Sequence, residues 1–218
     1  MRLAAETAGF VLAGGRSSRM GADKALVQLA GRPLISYAVE VLRQAGLDVC
    51  IAGARSPLEA FAPVVEDSLA DRGPLGGICA ALASTAAQWA VFVPVDLPLL
   101  PAGLQVSLLE RAQITGAAVT ACSLNGFTQT FPAVICREAL PALRRELEAG
   151  RGGCYTAFQA AAGALGLPVE VVPVEFLAQC GQLTDERGLP PALWFLNVNT
   201  AEDLCRAECC LGGWHHVS

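Results

Sequence analysis

Residues 11–26, VLAGGRSSRMGADKAL, gather groups suited to holding an anion. An apolar run ends in Gly14 and Gly15, and paired glycines let backbone N–H groups approach a phosphate closely. Arg16, Arg19 and Lys24 add positive charge, and Ser17 and Ser18 add hydroxyl donors. Lys24 is the only lysine among 15 lysines and arginines. A lysine is a compact, rotatable point charge, whereas arginine is a planar fork. The segment fits neither the G-x-x-x-x-G-K-[ST] phosphate loop nor the G-x-G-x-x-G dinucleotide pattern. On spacing alone it reads equally as a solvated basic turn.

Three later segments carry further polar groups. VFVPVDLPLLP places Asp96 at the end of a fully apolar run, fenced by Pro94, Pro98 and Pro101. A carboxylate there is costly unless it is paired or bound to a metal. One Asp with open positions suits Mg²⁺, which keeps waters and shares phosphate oxygens. EDSLADRGPLGG holds Glu66, Asp67 and Asp71 before a Gly-Pro-Leu-Gly-Gly turn at a helix start. Helix-start amides there suit an anion and the carboxylates suit a base or ribose, while capping and turn chemistry alone would also account for the composition. FLNVNT puts Asn197 and Asn199 on one side of an extended segment, where they suit a ligand, a metal shell or a turn. Thr200 then caps a following helix, with Asp203 at the capping-box distance.

The elements that must position these residues alternate. Strands are expected at 8–13, LDVCIAG, PVVED, WAVFVPV, AAVTAC, TFPAVIC and PVEVVPV, with WFLNVNT a strand running into a final helix. Helices are expected at RPLISYAVEVLRQAG, PLGGICAALASTAA, GLQVSLLERAQITG, REALPALRRELEAG and YTAFQAAAGALG, and 178–193 reads as a polar surface loop. Continuous apolar strands alternating with helices predict an α/β fold, a mostly parallel sheet with helices on both faces. Ligands bind such sheets beyond the carboxyl ends of the strands, which selects 14–24, 67–77, 96–101 and 197–200.

Composition narrows the partners. The chain has 218 residues, 53% hydrophobic and 16% charged, with a net charge of −5. That predicts one well-filled domain over 1–208, with 209–218 as a tail. It argues against a nucleic-acid surface, which would be basic. No apolar run is long enough to predict a membrane span, and the N-terminal stretch lacks a signal-peptide cleavage pattern. The nine cysteines are odd in number and irregularly spaced, which predicts a cytoplasmic protein with reduced thiols. Cys205, Cys209, Cys210, His215 and His216 match no standard zinc spacing, and the bland reading is a loosely packed tail. Cys154 has no histidine near it in sequence and is not expected to be a catalytic thiol.

Taken together, LAGGRSSRMGADKAL, VVEDSLADRGPLGG, VPVDLPLLP and FLNVNTAEDL resemble the molybdenum cofactor guanylyltransferases, in the same order along the chain. The first motif alone would mark only the wider nucleotidyltransferase superfamily. The second glycine of LAGG and the GPLGG turn favour the guanylyl branch over the cytidylyl one. The resemblance implies a Rossmann-like fold and transfer of GMP from GTP to a molybdopterin-type cofactor, with Mg²⁺ and release of pyrophosphate. It implies nucleotide contacts at Leu12, Ala13, Gly14, Gly15, Lys24, Asp67 and Asp96, with Lys24 on the phosphates. It further implies Mg²⁺ on Asp96, assistance from Arg19, and Asn197 and Asn199 near the pterin or metal. Transient contact with proteins that supply the cofactor or receive it also follows. In CIAGAR, Ala52 stands where the family can carry a nucleotide-binding asparagine, which weakens the choice of guanine, and 161–193 matches no motif. A related transferase using CTP or a sugar-phosphate acceptor, or a nucleotide-binding regulator without catalysis, is the competing reading.

Overall fold

The computed structural model describes residues 6–13, 23–53, 57–65, 73–150 and 153–212. Gly14, Gly15, Arg16, Ser17, Ser18, Arg19, Gly21, Ala54, Glu66, Asp67, Asp71, His215 and His216 lie outside them.

Among the described residues, the chain order is β1 (Thr7–Leu12), β2 (Gln28–Leu29), β3 (Arg32–Pro33), α1 (Leu34–Gln44), β4 (Val49–Ala52), β5 (Val64–Val65), α2 (Gly73–Ser84), β6 (Trp89–Pro94) and α3 (Ala102–Thr115). It continues with β7 (Val119–Leu124), β8 (Phe127–Cys136), α4 (Leu140–Ala149), α5 (Cys154–Leu165), β9 (Val169–Pro173), α6 (Val174–Gln179), α7 (Pro191–Trp194) and α8 (Ala201–Leu211). The main sheet runs β5-β4-β1-β6-β8-β7-β9, with β2 and β3 forming a separate hairpin. All pairings in the main sheet are parallel except those made by β8, which runs against both β6 and β7. The expected α/β architecture is present.

Burial explains why the central strands read as unbroken apolar runs. Phe10, Val11, Ala90, Val91, Phe92 and Val93 are all buried, because helices cover both faces of β1 and β6. The rings of Phe10 and Phe92 stack with centroids 5.5 Å apart across this pair. Helix ends follow the turn chemistry of the sequence: α1 opens at Pro33, and Gly46 takes the left-handed conformation just beyond its end.

Four departures from the sequence reading have physical causes. WFLNVNT forms no strand: Trp194 closes the short helix α7, and 195–199 crosses the sheet edge without ladder pairing. The apolar run there is explained by burial of Trp194, Leu196 and Val198 under the edge. The expected helix PLGGICAALASTAA is present as α2, but it opens one residue earlier, at Gly73, and ends at Ser84, and Gly77 packs against the backbone of Gly53. The β2–β3 hairpin is too short to give a period, and its turn uses Ala30 and Gly31 at positive φ. Residues 178–193 are not merely polar surface, since Leu183 and Leu189 are buried and α6 begins just before them.

All nine cysteines are described and none is disulfide-bonded. Cys209 and Cys210 belong to α8, with Cys210 packed against the core. Burial raises the Cys154 thiol to about 11, so it is not a thiolate nucleophile near neutral pH. Among the described residues, no helix is long and apolar enough to cross a membrane.

Thr120, on β7, is fully buried and its hydroxyl has no hydrogen-bond partner among the described residues. Thr120→Val removes that unsatisfied group and keeps a β-branched side chain. Stability should rise by about 1 kcal/mol. Thermal unfolding checks this, with a higher midpoint expected.

Candidate active site

The site lies at the carboxyl edge of β1 and β6, and backbone hydrogen bonds set its frame. Ala13 N donates to Ala52 O (3.2 Å), Val95 N to Leu12 O (3.1 Å), and Val198 N to Asp96 O (2.9 Å). These three bonds bring four distant segments to one place: the end of β1, the end of β4, the turn after β6, and the strandless segment before α8.

Lys24 arrives from a short 3₁₀ turn, Lys24–Leu26. Asp23 caps that turn by accepting from Ala25 N at 3.0 Å, and Ala25 is buried. The stem of Lys24 is therefore rooted while its ammonium reaches across the edge. Its Nζ lies 2.8 Å from Asp96 Oδ2 and 2.5 Å from Asn199 Oδ1. Asn199 in turn donates through Nδ2 to Asn197 Oδ1 at 2.7 Å, which fixes the amide with its oxygen toward the lysine. The side chains of Lys24 and Asp96 are only 18% and 23% exposed, so this pair is shielded more than an ordinary surface ion pair.

Asp96 does not cap α3, whose N-cap is Pro101 without any side-chain bond. The proline-fenced loop that follows Asp96 is instead clamped from outside. Arg187 donates to Leu99 O at 2.6 Å, and its guanidinium is held by the carboxylate of Asp185, whose side chain is 1% exposed. This clamp comes from the segment that carried no motif, and nothing in its sequence spacing pointed to Leu99. A cleft of about 280 Å³ beside this loop is lined by Arg32, Tyr37, Glu40, Pro98, Asp185 and Arg187, among others, and by none of the expected site residues.

Asn199 is anchored through its backbone as well. Thr200 and Asp203 form a full capping box at the start of α8, as the spacing predicts. Asp203 Oδ2 additionally accepts from Asn199 N at 3.1 Å. That bond and those from Thr200 hold the Asp203 carboxyl below its ordinary range. The far end of α8 reaches the β2–β3 hairpin beyond Lys24, where Ala30 N donates to Glu208 Oε1.

Of the ten residues singled out from the sequence, Lys24, Asp96, Asn197 and Asn199 form one connected polar cluster. Leu12 and Ala13 supply the backbone frame next to it. Gly14, Gly15, Arg19 and Asp67 lie outside the described residues. Ala52 is 1% exposed and contributes its carbonyl to the frame rather than a surface contact. The residues that sequence reasoning missed are Asp23 and Arg187. Asp23 had a signal, because Asp directly before a helical turn is an N-cap candidate.

The donor set suits a hard cation. Asp96 Oδ2 and Asn199 Oδ1 already converge on one positive charge, the lysine ammonium, and Asn197 adds an amide oxygen beside them. Oxygen ligands few in number, with room for water and phosphate, match Mg²⁺ rather than a soft metal. Among the described residues, no group of three or more His, Cys, Asp and Glu residues is placed to hold a metal.

Asp203→Ala should speed amide hydrogen exchange at Asn199 and Thr200 near neutral pH. Because the folded-state carboxyl titrates below the ordinary value of 3.8, the cap's contribution is present above that value and is lost as pH falls through the lowered one. The exchange rates of wild type and variant should therefore converge in strong acid.

The family profile described as the MobA-like NTP transferase domain matches residues 9–165. A molybdenum cofactor guanylyltransferase of Vibrio atlanticus is 38% identical over 154 residues, covering 69% of this chain and 79% of that protein. One from Xanthomonas euvesicatoria pv. vesicatoria is 47% identical over 106 residues, covering 48% of this chain and 54% of the relative. Among solved structures, molybdopterin-guanine dinucleotide biosynthesis protein A from Archaeoglobus fulgidus superposes with a TM-score of 0.74 at 23% identity, covering 94% of this chain and 98% of that one. The 2-C-methyl-D-erythritol 4-phosphate cytidylyltransferase from Thermus thermophilus shares the fold with a TM-score of 0.65 at 18% identity, covering 93% and 98% of the two chains. With the profile spanning most of the chain and the Vibrio relative aligned over most of its own length, the chain belongs to the MobA-like NTP transferase family of nucleotidyltransferases, among the molybdenum cofactor guanylyltransferases.

Proposed function

We propose that this chain transfers GMP from GTP to a molybdopterin-type cofactor, releasing pyrophosphate, in the cytoplasm and as one catalytic domain. The observation that carries the reading is the convergence of Lys24, Asp96 and Asn199 at the sheet's carboxyl edge, in a chain whose relatives are guanylyltransferases. The geometry supports phosphoryl chemistry without a protein nucleophile, because it offers charge and positioning.

The proposed reaction is an in-line displacement. The terminal phosphate oxygen of the pterin attacks the α-phosphorus of GTP, the bond to the bridging oxygen breaks, and pyrophosphate leaves with that electron pair. Lys24 and Arg19 hold the triphosphate and neutralise charge as it shifts to the leaving group. Gly14 and Gly15 give the phosphates backbone donors, Leu12 and Ala13 shape the floor, and Asp67 contacts the nucleoside. Asn197 and Asn199 face the acceptor side. Asp96, with Asn199, would hold Mg²⁺, whose chemistry when bound is to offset phosphate charge and fix the reacting oxygens. Protein partners that deliver the pterin or accept the product belong to the same proposal.

Asp96→Ala should lower transfer by about a hundredfold or more while the circular dichroism spectrum stays that of the wild type. Lys24→Ala should weaken GTP binding. Incubation with each labelled triphosphate and the pterin acceptor should give product with GTP. Equal turnover of CTP would replace this reading with that of a cytidylyl enzyme, and no pyrophosphate release with any acceptor would favour a nucleotide-binding regulator.

A further inference from the structure

Lys24 touches the same oxygens that the metal reading assigns to Mg²⁺. Its ammonium is 2.8 Å from Asp96 Oδ2 and 2.5 Å from Asn199 Oδ1, and both donor and carboxylate are largely shielded from solvent. Two positive charges cannot share those oxygens at contact distance without strong repulsion. One of them must yield.

We propose that Lys24 holds the metal position closed until a nucleoside triphosphate arrives, so that the site takes the divalent cation as its triphosphate chelate and not as the free ion. This rests on the reading that Asp96 binds the metal. Three features of the structure fit the role. The lysine is rooted in a turn capped by Asp23 and packed by Ala25, so its pivot stays in place while four methylene groups let the head swing. Asn197 orients the Asn199 amide, so Asn199 Oδ1 faces the cation whichever cation is there. Asp96 is held through its backbone by Val198 N, so its main chain stays in place at the strand end when the lysine leaves. The triphosphate offers the ammonium new oxygens as the metal displaces it, which makes metal and nucleotide binding mutually reinforcing. An arginine would be a poorer choice here, because its planar fork cannot exchange one small set of oxygens for another as a point charge can.

Mn²⁺ titration followed by electron paramagnetic resonance tests this, using the full chain with and without GTP. The wild type should bind free Mn²⁺ weakly and bind it well once GTP is present. Lys24→Met should bind free Mn²⁺ about tenfold more tightly than the wild type, because the competing charge is gone. Lys24→Gln, which keeps a polar head, should shift the same way and guards against a folding defect in the first variant. Asp96→Asn should lose the GTP-dependent Mn²⁺ signal. Unchanged or weaker free-ion binding in both lysine variants, with Asp96→Asn still losing the signal, would overturn the proposal while leaving Asp96 as the metal residue. An unchanged signal in Asp96→Asn would overturn the metal reading and the proposal with it.

Discussion

The ion pair between Lys24 and Asp96 joins residues 72 positions apart and decides what the carboxyl edge can do. A carboxylate at the mouth of two buried strands is costly to leave alone, and a lysine with 18% of its side chain exposed is costly as well. Each offsets the other in the absence of ligand. The same arrangement leaves both groups ready for substrates of opposite sign, the lysine for phosphate and the carboxylate for a cation. A stabilising contact and the proposed binding site therefore occupy the same atoms.

Everything around that pair serves to keep it in register. The parallel ladder from Thr7↔Trp89 to Leu12↔Pro94 brings the ends of β1 and β6 level, and Val95 N closes onto Leu12 O beyond it. Buried Phe10, Val11, Phe92 and Val93 hold the two strands together over that length. On one side Arg187 and Asp185 clamp the proline loop after Asp96. On the other, the α8 capping box ties down Asn199, and Glu208 at the far end of the helix meets the hairpin that follows Lys24. Stability of the edge and geometry of the site are thus the same set of contacts.

The sequence made the strands and most helices legible because burial on both sheet faces leaves continuous apolar runs, and because Gly46, Pro33 and the Thr200–Asp203 pair announce helix ends. It also showed that Lys24 and Asp96 were unusual, one by its uniqueness and the other by its place after an apolar strand. Spacing could not show that they touch, since the pairing depends on the β1–β6 register and on where the turn that begins at Lys24 sits against the sheet. The segment 195–199 misled for a related reason. Its apolar residues are buried, as in a strand, yet its backbone bonds to Asp96 rather than to a ladder. Arg187 was invisible because its partner, Leu99, contributes only a carbonyl, which every residue has. At Ala52 the structure adds a backbone role, its carbonyl accepting from Ala13 N at the edge, which a residue type does not announce.

In the proposed cycle, Lys24 exchanges one set of oxygens for another. The most direct measurement is a crystal structure of the chain with Mg²⁺ and a non-hydrolysable GTP analogue. It should show the metal on Asp96 and the Lys24 ammonium within about 3 Å of a phosphate oxygen, no longer in contact with the carboxylate. A nucleotide complex in which Lys24 still pairs with Asp96, and the metal is held elsewhere, would contradict it.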